Sequence, residues 1–217
     1  MRTVEGSSLV PGSWRRSRLE PSRRRLTGIL ALLALTGADA AQAADIEAGR
    51  QAAQPCFACH GEDGISKMDG VPSLAGLADN FLQWQMVFFR TGRRKNEIMQ
   101  PQAAGLSDSD IKNLGAFFAS LAPPGRPQEA ADVSAPTEPG KVLSTQRRCN
   151  SCHGDSFTGI QAAPRLAWQR EEYLAKALSD YRSGARPSSA GAVMTEIAAG
   201  LSEPEMEALA HYLANMP

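Results

Sequence analysis

All four cysteines of this 217-residue chain fall in two copies of one short pattern, Cys56-x-x-Cys59-His60 and Cys149-x-x-Cys152-His153. Cysteines three apart lie on one turn of helix. There, two thiols can form thioethers with the two vinyl groups of a haem, while the adjacent histidine reaches the iron from the same side. Two rival chemistries fit less well. A thioredoxin-like redox pair needs a strand-to-helix setting that is missing here, and a four-cysteine zinc site keeps its pairs about 15–20 residues apart. Cys59 and Cys149 are separated by 90. The pattern therefore points to two covalently attached haem c groups, held by Cys56, Cys59, Cys149 and Cys152, with His60 and His153 on the irons. No cysteine is left for a structural disulfide.

The other face of each iron needs a second ligand, and the inventory is small. His211 is the only histidine outside the motifs. It corresponds to Ala116 of the first copy and reads as a surface position on the last helix. Beyond residue 43 the methionines are Met68, Met86, Met99, Met194, Met206 and Met216. Only Met99 and Met194 are counterparts of each other, 39 and 41 residues past their histidines, in the loop before the last helix. Met86, Met206 and Met216 correspond to Leu178, Ile111 and Leu121 and read as packing residues. Met68 lies too close to His60 to wrap round to the far face. Met99 and Met194 are thus the expected sixth ligands. A thioether raises the reduction potential relative to a second histidine. It also closes the iron, so that one-electron exchange is the chemistry that remains.

Pro72 and Pro164 lie 12 and 11 residues past the histidines. A carbonyl there can accept the imidazole N–H and fix the ring; a plain loop turn would equally explain the prolines. Arg90, Arg94, Arg182 and Arg186 recur in both copies, either to pair with haem propionates or as solvated residues at a helix end.

The elements that hold these residues follow from the repeat. Pro72-x-Leu74-Ala75 returns as Pro164-x-Leu166-Ala167, and Arg90-x-Gly92-x-Arg94 as Arg182-x-Gly184-x-Arg186. Met99 with Ala103 to Ser107 returns as Met194 with Ala198 to Ser202. Offsets of 92 to 95 in one order mean two copies of one domain,. Leu82, Met86 and Phe89 share a helix face, as do Leu174, Leu178 and Tyr181, and Gly92 and Gly184 stop those helices. Ser107 with Asp110, and Ser202 with Glu205, mark helix starts. No stretch alternates at period two, so the fold expected is all-α: two tandem domains over residues 44–122 and 140–217, joined by a Pro-, Gly- and Ala-rich linker over 123–139.

Residues 1–43 read as a secretory signal peptide. Seven arginines precede an apolar run from Leu26 to Leu35, and Ala41-Gln42-Ala43 offers a small-x-small cleavage site,. The run is shorter than the ~20 residues a spanning helix needs. The whole chain balances 23 basic and 23 acidic residues. Without the leader it keeps 16 basic against 20 acidic, a net −4, which argues against nucleic acid as partner,.

With paired haem motifs, paired methionines and a linker, the chain resembles the dihaem cytochrome c4 family over essentially all of the region after the leader. The resemblance implies two cytochrome-c-like domains and a periplasmic electron carrier. Its donor would be a quinol-oxidising complex and its acceptor a terminal oxidase, with membrane association only through partners or an uncleaved leader. Two other roles are weighed: electron-transfer subunit of a periplasmic dehydrogenase, and dihaem peroxidase. The peroxidase requires an open iron, which a methionine in each copy would deny it. The expectation is a carrier, not an enzyme.

Overall fold

The short helices that carry the two Cys-x-x-Cys-His motifs are α2 (Phe57–His60), entered from a 3₁₀ turn over Gln54–Cys56, and α7 (Asn150–His153). The first half also holds α1 (Ile46–Ala52), α3 (Asp79–Arg90), α4 (Met99–Ala104) and α5 (Asp108–Ser120). The second also holds α6 (Glu138–Gln146), α8 (Glu171–Arg182), α9 (Val193–Ala199) and α10 (Glu203–Ala214). This computed structural model describes residues 43–126, 136–160, 163–187 and 192–217. Nearly all of the leader, and the middle of the linker, lie outside them. The described residues form helices and no strand, only an isolated bridge between Ile160 and Ala163. The fold is all-α, as the sequence leads one to expect. α6 opens at Glu138, two residues inside the stretch read as linker.

In each half the first helix crosses the last, α1 on α5 and α6 on α10, and the long middle helix, α3 or α8, packs on the last as well. The first crossing is permitted by one residue type. A methyl group on Gly49 would collide with the carbonyl of Asn113, and one on Gly140 with that of Ala208. Without a side chain the two backbones approach closely. α5 and α10 start where their serines indicate. Asp110 accepts the Ser107 N–H at 2.9 Å, and Glu205 accepts the Ser202 N–H at 2.7 Å, satisfying backbone donors that a helix start leaves open. α3 and α8 end at Arg90 and Arg182, and Gly92 and Gly184 follow at φ 70° and 74°, a conformation that suits glycine after a helix end.

Each half buries its own core. In the first, Leu77, Phe81, Leu82, Leu114, Phe117 and Phe118 cluster. In the second, Phe157, Leu174, Tyr212 and Leu213 form one cluster and Leu143, Leu201, Met206 and Leu209 another. The described residues of the two halves nevertheless close into one compact unit, through a seam of hydrogen bonds. Gln169 meets Ser73, Arg170 meets Asp69 at 2.6 Å, and Arg186 meets Gln85 at 3.3 Å.

Candidate functional site

Because α2 and α7 are single turns, each brings its two thiols and its imidazole close together along the chain. All four cysteines are unpaired, Cys56, Cys59 and Cys149 half-buried and Cys152 exposed. Burial pushes the Cys56 and Cys149 thiols up. His60 and His153 are buried, 6% and 7% exposed. Each Nδ1 donates to a proline carbonyl, His60 to Pro72 and His153 to Pro164, both at 2.8 Å. Of the two explanations for the prolines, the structure selects the hydrogen bond. It fixes the tautomer with Nε2 unprotonated and available to a metal. Burial lowers both imidazole pKa values, with the proline carbonyls pulling the other way, so the rings stay neutral, the form that binds iron.

A partly open cavity, walled mostly by the second half but also by Leu77 and Phe81 of the first, has both His153 and Met194 in its walls. Leu174, Leu178 and Tyr181 of the α8 stripe all line it, and of the three only Leu178 is half-buried rather than buried. In the first half the matching stripe repeats the pattern, with Met86 half-buried between Leu82 and Phe89. Met99 opens α4 and is half-buried. The methionines thus lie in short helices rather than in the irregular loop that the sequence suggests. For α4 the cause is Asn96, whose side chain accepts the N–H groups of Ile98 and Met99 at 3.0 and 2.8 Å.

The four recurring arginines divide into two pairs. Arg90 donates to the Leu106 carbonyl at 2.8 Å and pairs with Asp108 at 2.6 Å, and Arg182 donates to the Leu201 carbonyl at 3.2 Å. These two pin the turns that precede α5 and α10. Arg94 and Arg186 instead enter the seam, where both donate to Gln85, Arg94 at 2.6 Å. Arg186 also donates to the Tyr173 hydroxyl at 3.1 Å. Burial tends to raise the Tyr173 pKa, but the two guanidiniums outweigh it and draw it down to about 8. His211, the leftover histidine, is half-buried rather than on the surface and faces Glu171, the first residue of α8, at 3.1 Å.

Whether these residues suit a haem is decided by their unmet polar groups. Arg186 is 3% exposed, and among the described residues no carboxylate forms an ion pair with Arg94, Arg165 or Arg186. Arg165 and Arg186 line the cavity, and Nε of both, with Nη1 of Arg165, is buried with no partner. Buried cations call for an anion. A haem placed between His153 and Met194 carries two carboxylates that would supply it, so the residues fit the group. Arg165 was invisible to the repeat, because its counterpart is Ser73.

Comparison with known proteins agrees with this geometry. Two segments, residues 46–122 and 137–217, match the cytochrome c family. Cytochrome c4 of Pseudomonas aeruginosa is 35% identical over 88% of this chain and 98% of its own length. A thiosulfate dehydrogenase electron acceptor of Stutzerimonas stutzeri is 35% identical over 88% of this chain and 94% of its own. Among solved structures, reduced recombinant cytochrome c4 from Pseudomonas stutzeri superposes with a TM-score of 0.68 at 30% identity, over 80% of this chain and 99% of that one.

Proposed function

The chain belongs to the dihaem cytochrome c4 family, with two tandem cytochrome c domains, two covalently bound haem c groups and an electron-carrying role, and from that premise we propose how and where it works. His60 and Met99 would hold the first iron and His153 and Met194 the second, leaving neither an open position. Cys56 and Cys59, and Cys149 and Cys152, would carry the thioethers. The haem supplies the reversible one-electron couple. The chain's own residues would hold it, set its ligand field and offer the cations of Arg165 and Arg186 to its carboxylates,. The observation that carries this reading is the cavity whose walls include both His153 and Met194.

The protein works in the periplasm after loss of the leader. It accepts electrons from a quinol-oxidising complex and delivers them to a terminal oxidase through brief, weak contacts of the kind redox partners make. Among the described residues no helix is long and apolar enough to cross a membrane. A second reading, acceptance of electrons from a dehydrogenase, is favoured by the likeness to a thiosulfate dehydrogenase electron acceptor. The test is reoxidation of the reduced holo-protein. Under oxygen it should stay reduced until membranes bearing a terminal oxidase are added, and peroxide should leave it reduced throughout. Rapid peroxide turnover would contradict the carrier role. Reduction by thiosulfate together with a thiosulfate dehydrogenase, but not by quinol with its oxidising complex, would select the second reading.

A further inference from the structure

The seam between the halves is not symmetric, and its asymmetry reaches a haem ligand. Gln169, just before α8, projects its side-chain amide onto the backbone of Ser73 in the other half. Its Oε1 accepts the Ser73 N–H and its Nε2 donates to the Ser73 carbonyl, both at 2.8 Å. Gln169, Ser73 and His60 are all buried. The Ser73 N–H belongs to the same peptide group as the Pro72 carbonyl, which takes the His60 proton at 2.8 Å. A peptide whose N–H is engaged becomes a stronger acceptor at its carbonyl. Gln169 Oε1, the Pro72–Ser73 peptide and His60 Nδ1 therefore form one polarised chain across the domain seam.

Among the described residues the other half has no such device. By the repeat, Gln169 corresponds to Leu77, which cannot accept a hydrogen bond, and Ser73 corresponds to Arg165. A second contact braces the same peptide from its own side. Ser73 Oγ accepts the Ser66 N–H at 3.2 Å, and Ser66 Oγ donates to the carbonyl of Cys59 at 3.0 Å. The Pro72–Ser73 peptide is thus held between the first haem-binding motif and the second domain.

We propose that Gln169 of the second domain is a positioning residue for His60 of the first, strengthening the pull on the imidazole proton and so lowering the reduction potential of the first haem more than that of the second, whose cavity Gln169 also lines. This rests on the assignment of His60 as an iron ligand. Greater proton pull makes the imidazole more electron-rich, which favours ferric iron. The two halves, so alike in ligands, are thereby made unequal, and the inequality exists only while the domains are docked.

The experiment is a redox titration of the holo-protein, with the first site identified as the wave displaced by Met99→His. Gln169→Leu installs the residue the first half carries at this position. It should shift the first site's equilibrium at least twofold towards ferrous, ~18 mV at 59 mV per decade for one electron, with the second site shifting less. Gln169→Asn, with a shorter reach, should fall between. In proton NMR of the ferrous protein, the His60 Nδ1–H should exchange faster in Gln169→Leu while that of His153 is unchanged. Arg170→Ala removes the neighbouring Asp69 ion pair without touching the chain, so it controls for a loosened seam and should leave the first site where it was. No shift, equal shifts at both sites, or an equal shift from Arg170→Ala would overturn the proposal. His60→Ala separates the two levels. If it leaves the first site's spectrum intact, the ligand assignment falls and the proposal with it. If that spectrum collapses while Gln169→Leu has no effect, the proposal alone fails.

Discussion

Nothing distinguishes Met99 and Met194 from the other methionines by type; what singles them out is that each is the other's counterpart, and the consequence is local to each site. Met99→His should abolish the ferric sulfur-to-iron absorption of the first haem and leave that of the second, and Met194→His should do the reverse. The altered site should fall in potential by about a few tenths of a volt, within the ≈ 0.8 V that axial ligands span. Spectra of the two ferric variants beside the parent check this. An unchanged spectrum in either variant would remove that methionine from the iron. The attachment residues were legible because Cys-x-x-Cys-His encodes a contact between near neighbours in sequence. Arg165 and Gln169 were not, because their partners lie in the cavity or across the seam. At such positions the two copies differ, and a repeat reports only what they share.

At the scale of the helix, the long middle and final helices were readable from stripes and caps, since an amphipathic face and a serine start are local properties. α4 and α9 were not, being too short to show a period. The matching glycines of α1 and α6 also escaped, because their offset of 91 falls outside the register of the later anchors. Gly49→Ala and Gly140→Ala should each destabilise their own half by about 1–3 kcal/mol, the usual cost of overpacking, seen as a lowered Tm in thermal unfolding of the holo-protein. The start of α10 carries a pH signature. Backbone and hydroxyl hydrogen bonds from Ser202, together with Arg147, hold the Glu205 carboxyl down to about 2 from an ordinary 4.5. A depressed carboxyl stabilises the fold fully above the unfolded value and loses that effect as pH falls through the folded one. Acid titration of helix content should therefore show a loss between about pH 4.5 and 2 that Glu205→Gln flattens. An unchanged slope in the variant would place the acid sensitivity elsewhere.

For the whole molecule, duplication supplies two sites and the seam makes them differ. The arginines Arg94 and Arg186, equivalent by repeat, share Gln85 of one half, while its counterpart in the other is Ala177. The pattern of cysteines, histidines and methionines announced two similar domains, but how they dock depends on side chains that meet only after both have folded. Everything at this scale presupposes that both motifs are loaded. Intact-mass measurement of protein matured in a host able to attach haem tests that most directly. The expected mass is that of the polypeptide plus two haem groups, falling to one when Cys149 and Cys152 are both replaced by alanine. A parent protein that gains one haem, or none, would contradict it.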